Sequence, residues 1–239
     1  MSFRPPALLR ISRFWLLAVS VQGMALGMTP AQEFQRALKH FRTDGPPGWA
    51  YVQVSSGEGK DEIEAYDPLK LPPLCWTLLE KDHKKPTAQD QLDYRNLKAQ
   101  RSSEFNAPRI ETELDLATCR VLEDTPDRLR AEFRLRENAD TAQAAQHLKV
   151  EVTLDRPTQT IVQIDIRNIE PFSILYIVRI DRMHTEFQYS LPKGGRPSLL
   201  MRASISEQGK ILWLKTLDQH LEIVRKGYRY AGKTPAERL

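Results

Sequence analysis

Over the second half of the chain, apolar and polar side chains take turns. Leu129, Ala131, Phe133 and Leu135 alternate with Arg128, Arg130, Glu132, Arg134 and Arg136, and Leu148, Val150, Val152 and Leu154 alternate with Lys149, Glu151 and Thr153. Successive side chains of a strand point to opposite faces, so both runs predict strands with one dry and one wet face. Comparable runs follow at Thr160–Ile166, Phe172–Ile180, Met183–Leu191, Leu199–Ile205, Lys210–Lys215 and Leu221–Val224. Strands recurring about every 10 residues predict an antiparallel meander. No glycine stands between Gly59 and Gly194, so the turns there must rely on Asp, Asn and Pro.

The first half reads differently. Residues 29–42 predict a helix, with Thr29 as cap, Pro30 in the first turn, and Phe34, Leu38 and Phe41 on one face. Asp44-Gly-Pro-Pro-Gly48 stops it. A strand begins at Trp49, a turn is expected at 55–59, and Glu62–Tyr66 pairs back. Asp67-Pro-Leu-Lys-Leu-Pro-Pro73 cannot lie inside a sheet, because proline lacks the donor. A short apolar run at 75–79 precedes a second helix starting at Pro86-Thr87 and running to about Gln100. In it Thr87 and Asp90 form a capping pair and Leu92 and Leu97 part of an apolar face.

Two runs break the alternation. In 172–180, Phe172, Ile174, Tyr176, Val178 and Ile180 share one face, yet Leu175 and Ile177 stand on the other; Ile211-Leu-Trp213-Leu is apolar on both sides. Strands of this kind want both faces dry. Either the sheet curls around an apolar cavity for an acyl chain or similar ligand, or helices pack on it as an ordinary core. In the first case Phe172, Ile174, Tyr176, Val178 and Trp213 are the cavity candidates.

Residues 1–27 combine Arg4, Arg10 and Arg13 with an uncharged stretch from Phe14 ending in Ala25-Leu-Gly27, the layout of a secretory signal peptide. The expected product is an exported periplasmic protein starting at Met28. The chain holds 35 Lys+Arg against 31 Asp+Glu, and with three arginines in the leader the remainder is near neutral. The basic balance is thus no argument for nucleic acid, which calls for a clustered basic surface. In an oxidising compartment Cys75 and Cys119 are either a disulfide or two buried free thiols.

Motifs for catalysis are missing: there is no Gly-x-Ser-x-Gly, no phosphate-loop pattern and no His-Glu-x-x-His. His40, His83, His147, His184 and His220 are scattered singly, which gives no metal-ligand spacing. Glu62 and Glu64 lie on one strand face, where a glycosidase would set its carboxyls across a cleft. Gln163 and Asp165 interrupt an apolar strand; Asp165 is either wet or, if buried, partnered by an arginine or raised in pKa. No cofactor, metal ligand or catalytic residue is assigned. Two basic groups suit acidic head groups or a partner: Lys81, Lys84 and Lys85, and then Arg225, Lys226 and Arg229 interleaved with Tyr228 and Tyr230.

The order of elements resembles the periplasmic outer-membrane lipoprotein carrier (LolA/LolB-like) superfamily. The matching parts are the leader, the helix at Phe34–Phe41, the strand from Trp49-Ala-Tyr51, the helix after Pro86 and the meander to Val224. The Arg-Pro-Gly turn of that family is not legible, and Asp67-Pro68 with Trp76-Thr-Leu-Leu79 is similar instead to uncharacterised exported proteobacterial proteins. The resemblance implies an α+β half-barrel over 28–231, a long curved antiparallel sheet with an N-terminal helix and one or two inserted helices. Residues 232–239 are expected to be a disordered tail. The resemblance also implies non-catalytic binding of a lipid or lipoprotein acyl chain, while the basic, tyrosine-bearing groups suit peripheral membrane contact. A protein-interaction or envelope-stress-sensing module on the same scaffold is the alternative.

Overall fold

The computed structural model describes residues 28–57, 59–104, 110–136, 142–174, 177–212 and 215–232. The leader 1–27 and residues 233–239 lie outside the described residues. Its dominant feature is an open antiparallel sheet built from β1 (Trp49–Gly57), β2 (Lys60–Tyr66), β3 (Trp76–Lys81), β4 (Leu114–Asp124), β5 (Arg128–Leu135), β6 (Leu148–Asp155), β7 (Thr160–Asn168), β8 (Phe172–Ile174), β9 (Val178–Tyr189), β10 (Leu200–Ile211) and β11 (Lys215–Tyr230). The strand order is β3-β2-β1-β11-β10-β9-β7-β6-β5-β4, with β8 paired to β9 alone. The C-terminal strand therefore sits beside β1 in the middle of the sheet, and β3 and β4 form its edges.

Helix α1 (Pro30–Leu38) starts as its sequence requires. Thr29 and Gln32 form a reciprocal capping box, with Pro30 in the first turn. Phe34 is fully buried and meets Phe133 edge-on at 5.1 Å. Burying a side chain of that size contributes roughly 1.5–3 kcal/mol. Glu33 is buried too, and Arg156 in the β6–β7 turn clasps it with Nε at 3.1 Å and Nη2 at 3.0 Å. The helix is thereby tied to the β4–β7 side of the sheet.

Helix α2 (Ala88–Glu104) packs on β3, but not by the predicted apolar face. Leu92 is exposed; Gln91, Tyr94 and Lys98 face the sheet instead. Their common target is Glu64 on β2, 2% exposed, which accepts from Tyr94 Oη at 2.6 Å and from Gln53 Nε2 at 2.8 Å. Lys98 Nζ lies 2.7 Å from the same carboxylate. Buried charge needs partners of this kind. Two single turns, α3 (Ile110–Glu113) and α4 (Ala142–Ala145), complete the helices among the described residues.

The glycine-free turns use side-chain acceptors, as expected. Asp155 Oδ2 accepts from Thr158 N at 3.0 Å, and Gln159 takes the positive φ of 54° that closes β6–β7. Where glycine does return, Gly209 marks a register shift in β10, and a Cβ there would lie 2.0 Å from Arg179 O of β9.

Both doubly apolar runs are hairpins, not double-faced strands. Strand β8 ends at Ile174 and pairs antiparallel with β9, which begins at Val178, and Ile177 N donates to Ile174 O at 3.1 Å. Ile211 ends β10, Leu212 follows with φ of 49°, and β11 starts at Lys215, paired with Ile211. A period-two pattern runs unchanged through a short turn, so alternation alone cannot separate the two arrangements. Cys75 and Cys119 are free thiols. One stands just before β3 and the other on β4, the two edge strands, which corrects the disulfide alternative.

Candidate functional site

One face of β7, β9, β10 and β11 forms the floor of a cavity of about 990 Å³. Ile166, Met183, Thr185 and Phe187 contribute one side, and Leu200, Ala203, Ile205 and Ile223 the other. Cross-strand register explains the grouping: Ala203 faces Phe187 on β9 and Ile223 on β11, and Ile205 faces Thr185. The 42–47 loop, the Glu111–Thr112 turn, and Glu207 and Arg225 on the strands supply the polar part of the wall.

Arg225 is the best anchored of those polar groups. Its Nε donates to Gln53 Oε1 at 3.0 Å and its Nη1 to Asp44 O at 3.2 Å, while the guanidinium stacks 4.6 Å from the Tyr51 ring. Arg42 Nη1 donates to Phe41 O, and Thr43 Oγ1 donates to Glu111 Oε2 at 3.0 Å. Burial pushes the Tyr51 hydroxyl far above its usual range, against the opposing pull of Arg225. Tyr189 behaves likewise under the same loop, donating to Thr43 O at 3.0 Å.

The five basic and aromatic residues singled out near the C-terminus lie on β11, Tyr230 exposed at its end, and a bulge sorts the other four. Gly227, at φ of 66°, sits at a register shift against β1. Arg225 and Tyr228, three positions apart, consequently both reach the cavity side, Tyr228 donating to Leu200 O. Lys226 and Arg229 are exposed.

The three predicted cavity residues among the described ones are placed elsewhere. Phe172 is core, stacked on His147 at 5.1 Å; Ile174 is exposed; Val178 packs against the core. None of these three lines the cavity, because β8 pairs only with the first residues of β9. Tyr176 and Trp213 lie outside the described residues. The alternation of Met183, Thr185 and Phe187, and of Ala203 and Ile205, carried the usable signal. These runs have the composition of ordinary half-buried strands, so nothing in them alone marks a cavity floor.

Asp165 is buried on the opposite face, since Ile164 and Ile166 flank it. Arg167 Nη2 at 3.2 Å, His184 Nε2 at 2.9 Å and Gln163 Nε2 at 2.9 Å surround it. The burial expectation of an arginine partner holds. Asp165, His184 and Glu186 offer three ligand atoms within 4.8 Å of one another, yet Gln163 bridges both carboxylates and Arg167 adds a cation. That arrangement is a satisfied polar network.

No protein-family model matches the chain, and neither a curated protein nor a solved structure matches it. Among the described residues, no helix is long and apolar enough to cross a membrane.

Proposed function

We propose that this chain is an exported periplasmic half-barrel that binds an apolar or lipid-like ligand, without catalysis, in the cavity over β7–β11. The observation carrying the reading is the cavity: about 990 Å³, walled by Met183, Phe187, Leu200, Ile205 and Ile223, with Arg225 at its polar margin. An apolar void of that size between covering elements is the usual form of a small-molecule site. Helices α1 and α2 hold opposite regions of the sheet, and neither fills the space over the apolar floor between them. A bound chain completes the burial of Met183, Phe187, Ile205 and Ile223, which are half-buried, at about 0.8 kcal/mol for each methylene.

A lipid source suits the hairpin ends. Ile174, Ile177 and Leu212 are exposed and adjacent, with Leu212 N donating to Ile177 O at 2.8 Å. Exposed Arg182, Lys210 and Lys215 stand on the same strand ends, beside Arg179, which pairs with Asp181 at 2.7 Å. Apolar tips with a cationic collar fit an anionic bilayer surface. Strand β10, which lines the cavity from Leu200 to Ile205, runs on to this end.

The second reading is a protein-interaction or stress-sensing module, favoured by the exposed Lys226 and Arg229 on the outer side of β11. Displacement of a fluorescent fatty acid separates the two. A saturable site displaced by unlabelled fatty acid supports the ligand reading; no binding by folded protein refutes it.

A further inference from the structure

A second, smaller cavity of about 140 Å³ adjoins the first, sharing Asp44, Gly45 and Pro47 with it. Four of its walls are aromatic: Trp49, Tyr51, Tyr66 and Tyr228. The faces of such rings carry negative potential and attract cations, quaternary ammonium groups above all. Asp44, exposed at the border of both cavities, makes no ion pair among the described residues and adds a full negative charge.

Arg225 belongs to the neighbouring wall. It lines the larger cavity and stacks on Tyr51, one of the small cavity's rings. A simple organic cation entering here meets Arg225, and a simple anion meets Asp44. A zwitterion whose anion precedes its cation along the molecule satisfies both. Aromatic walls offer few acceptors to a hydrated primary ammonium, so the quaternary form fits better.

We propose that the small cavity receives the trimethylammonium of a phosphocholine-type head group, with the phosphate beside Arg225 and the apolar chain in the larger cavity. This assignment rests on the apolar-ligand reading and adds the ligand's class to it.

The test is calorimetric titration of the folded protein, below micelle-forming concentrations, with dodecylphosphocholine, dodecyl phosphate and choline. The expected result is that dodecylphosphocholine binds about tenfold tighter than dodecyl phosphate, and choline alone far more weakly. Asp44→Asn, at an exposed position, and Tyr66→Leu should each reduce the ratio of the two affinities. Equal binding of the two dodecyl compounds overturns the head-group assignment and leaves the chain cavity standing. Choline binding as tightly as dodecylphosphocholine overturns the link between the two cavities. Absence of binding by either dodecyl compound overturns the ligand reading itself.

Discussion

Ala203 is the smallest side chain on the cavity floor, set between Phe187 and Ile223 in the register of β9, β10 and β11. Ala203→Phe projects a phenyl ring into the space assigned to the ligand chain. Displacing three or four methylenes forfeits about 0.8 kcal/mol each, about 3 kcal/mol together, or roughly two orders of magnitude in Kd. Because the ring enters a void, its cost to stability should fall below the about 1–3 kcal/mol typical of overpacking a filled core. Ser204→Phe, on the opposite face between Glu186 and Glu222, is the control that adds the same ring outside the cavity. Fluorescent fatty-acid titration of both variants, with urea unfolding alongside, gives affinity and stability separately. The expected outcome is weakened binding in the first and wild-type binding in the second. A folded Ala203→Phe variant with wild-type affinity would refute the placement of the ligand along β10.

Three further outcomes follow from named contacts. Lys98→Met leaves Glu64 buried without its cation, costing about 3 kcal/mol in urea unfolding, and Glu64→Gln combined with it should recover much of that loss. Tyr51, Tyr94 and Tyr189 have hydroxyls raised chiefly by burial, with the Glu64 carboxylate adding to the effect at Tyr94. The folded state therefore holds protons that the unfolded chain releases near pH 10, so stability should be complete below that pH and fall as pH rises above it. A melting temperature unchanged from pH 9 to 11.5 (roughly the range spanning that pKa) would contradict these burials. Leu212→Asp at the exposed hairpin end should reduce co-sedimentation with anionic vesicles while fatty-acid binding in solution stays intact.

Local signals in the sequence were legible where chemistry is local. Thr29 capping α1, the start of α2 at Thr87, and the Asp155 turn all follow from side chains bonding to nearby backbone. The wet and dry faces of β5 and β6 follow from strict alternation. Long-range facts were not legible. Nothing near Tyr94 or Lys98 announces Glu64, some thirty positions earlier, so α2 seemed to need an apolar face. Gly227 gave no hint that Arg225 and Tyr228 would share a face until its bulge against β1 was known. The apolar runs 172–180 and 211–214 invited the wrong geometry because a tight turn preserves composition while reversing direction.

The central claim is that the cavity over β7–β11 holds a lipid-like molecule, and native mass spectrometry of the protein recovered from a cell envelope tests it most directly. The account expects the wild-type chain to carry an adduct of lipid mass, released by organic solvent and lost in Ala203→Phe. Wild-type protein recovered at its bare mass, with no lipid in the solvent extract and none taken up from added vesicles, would contradict it.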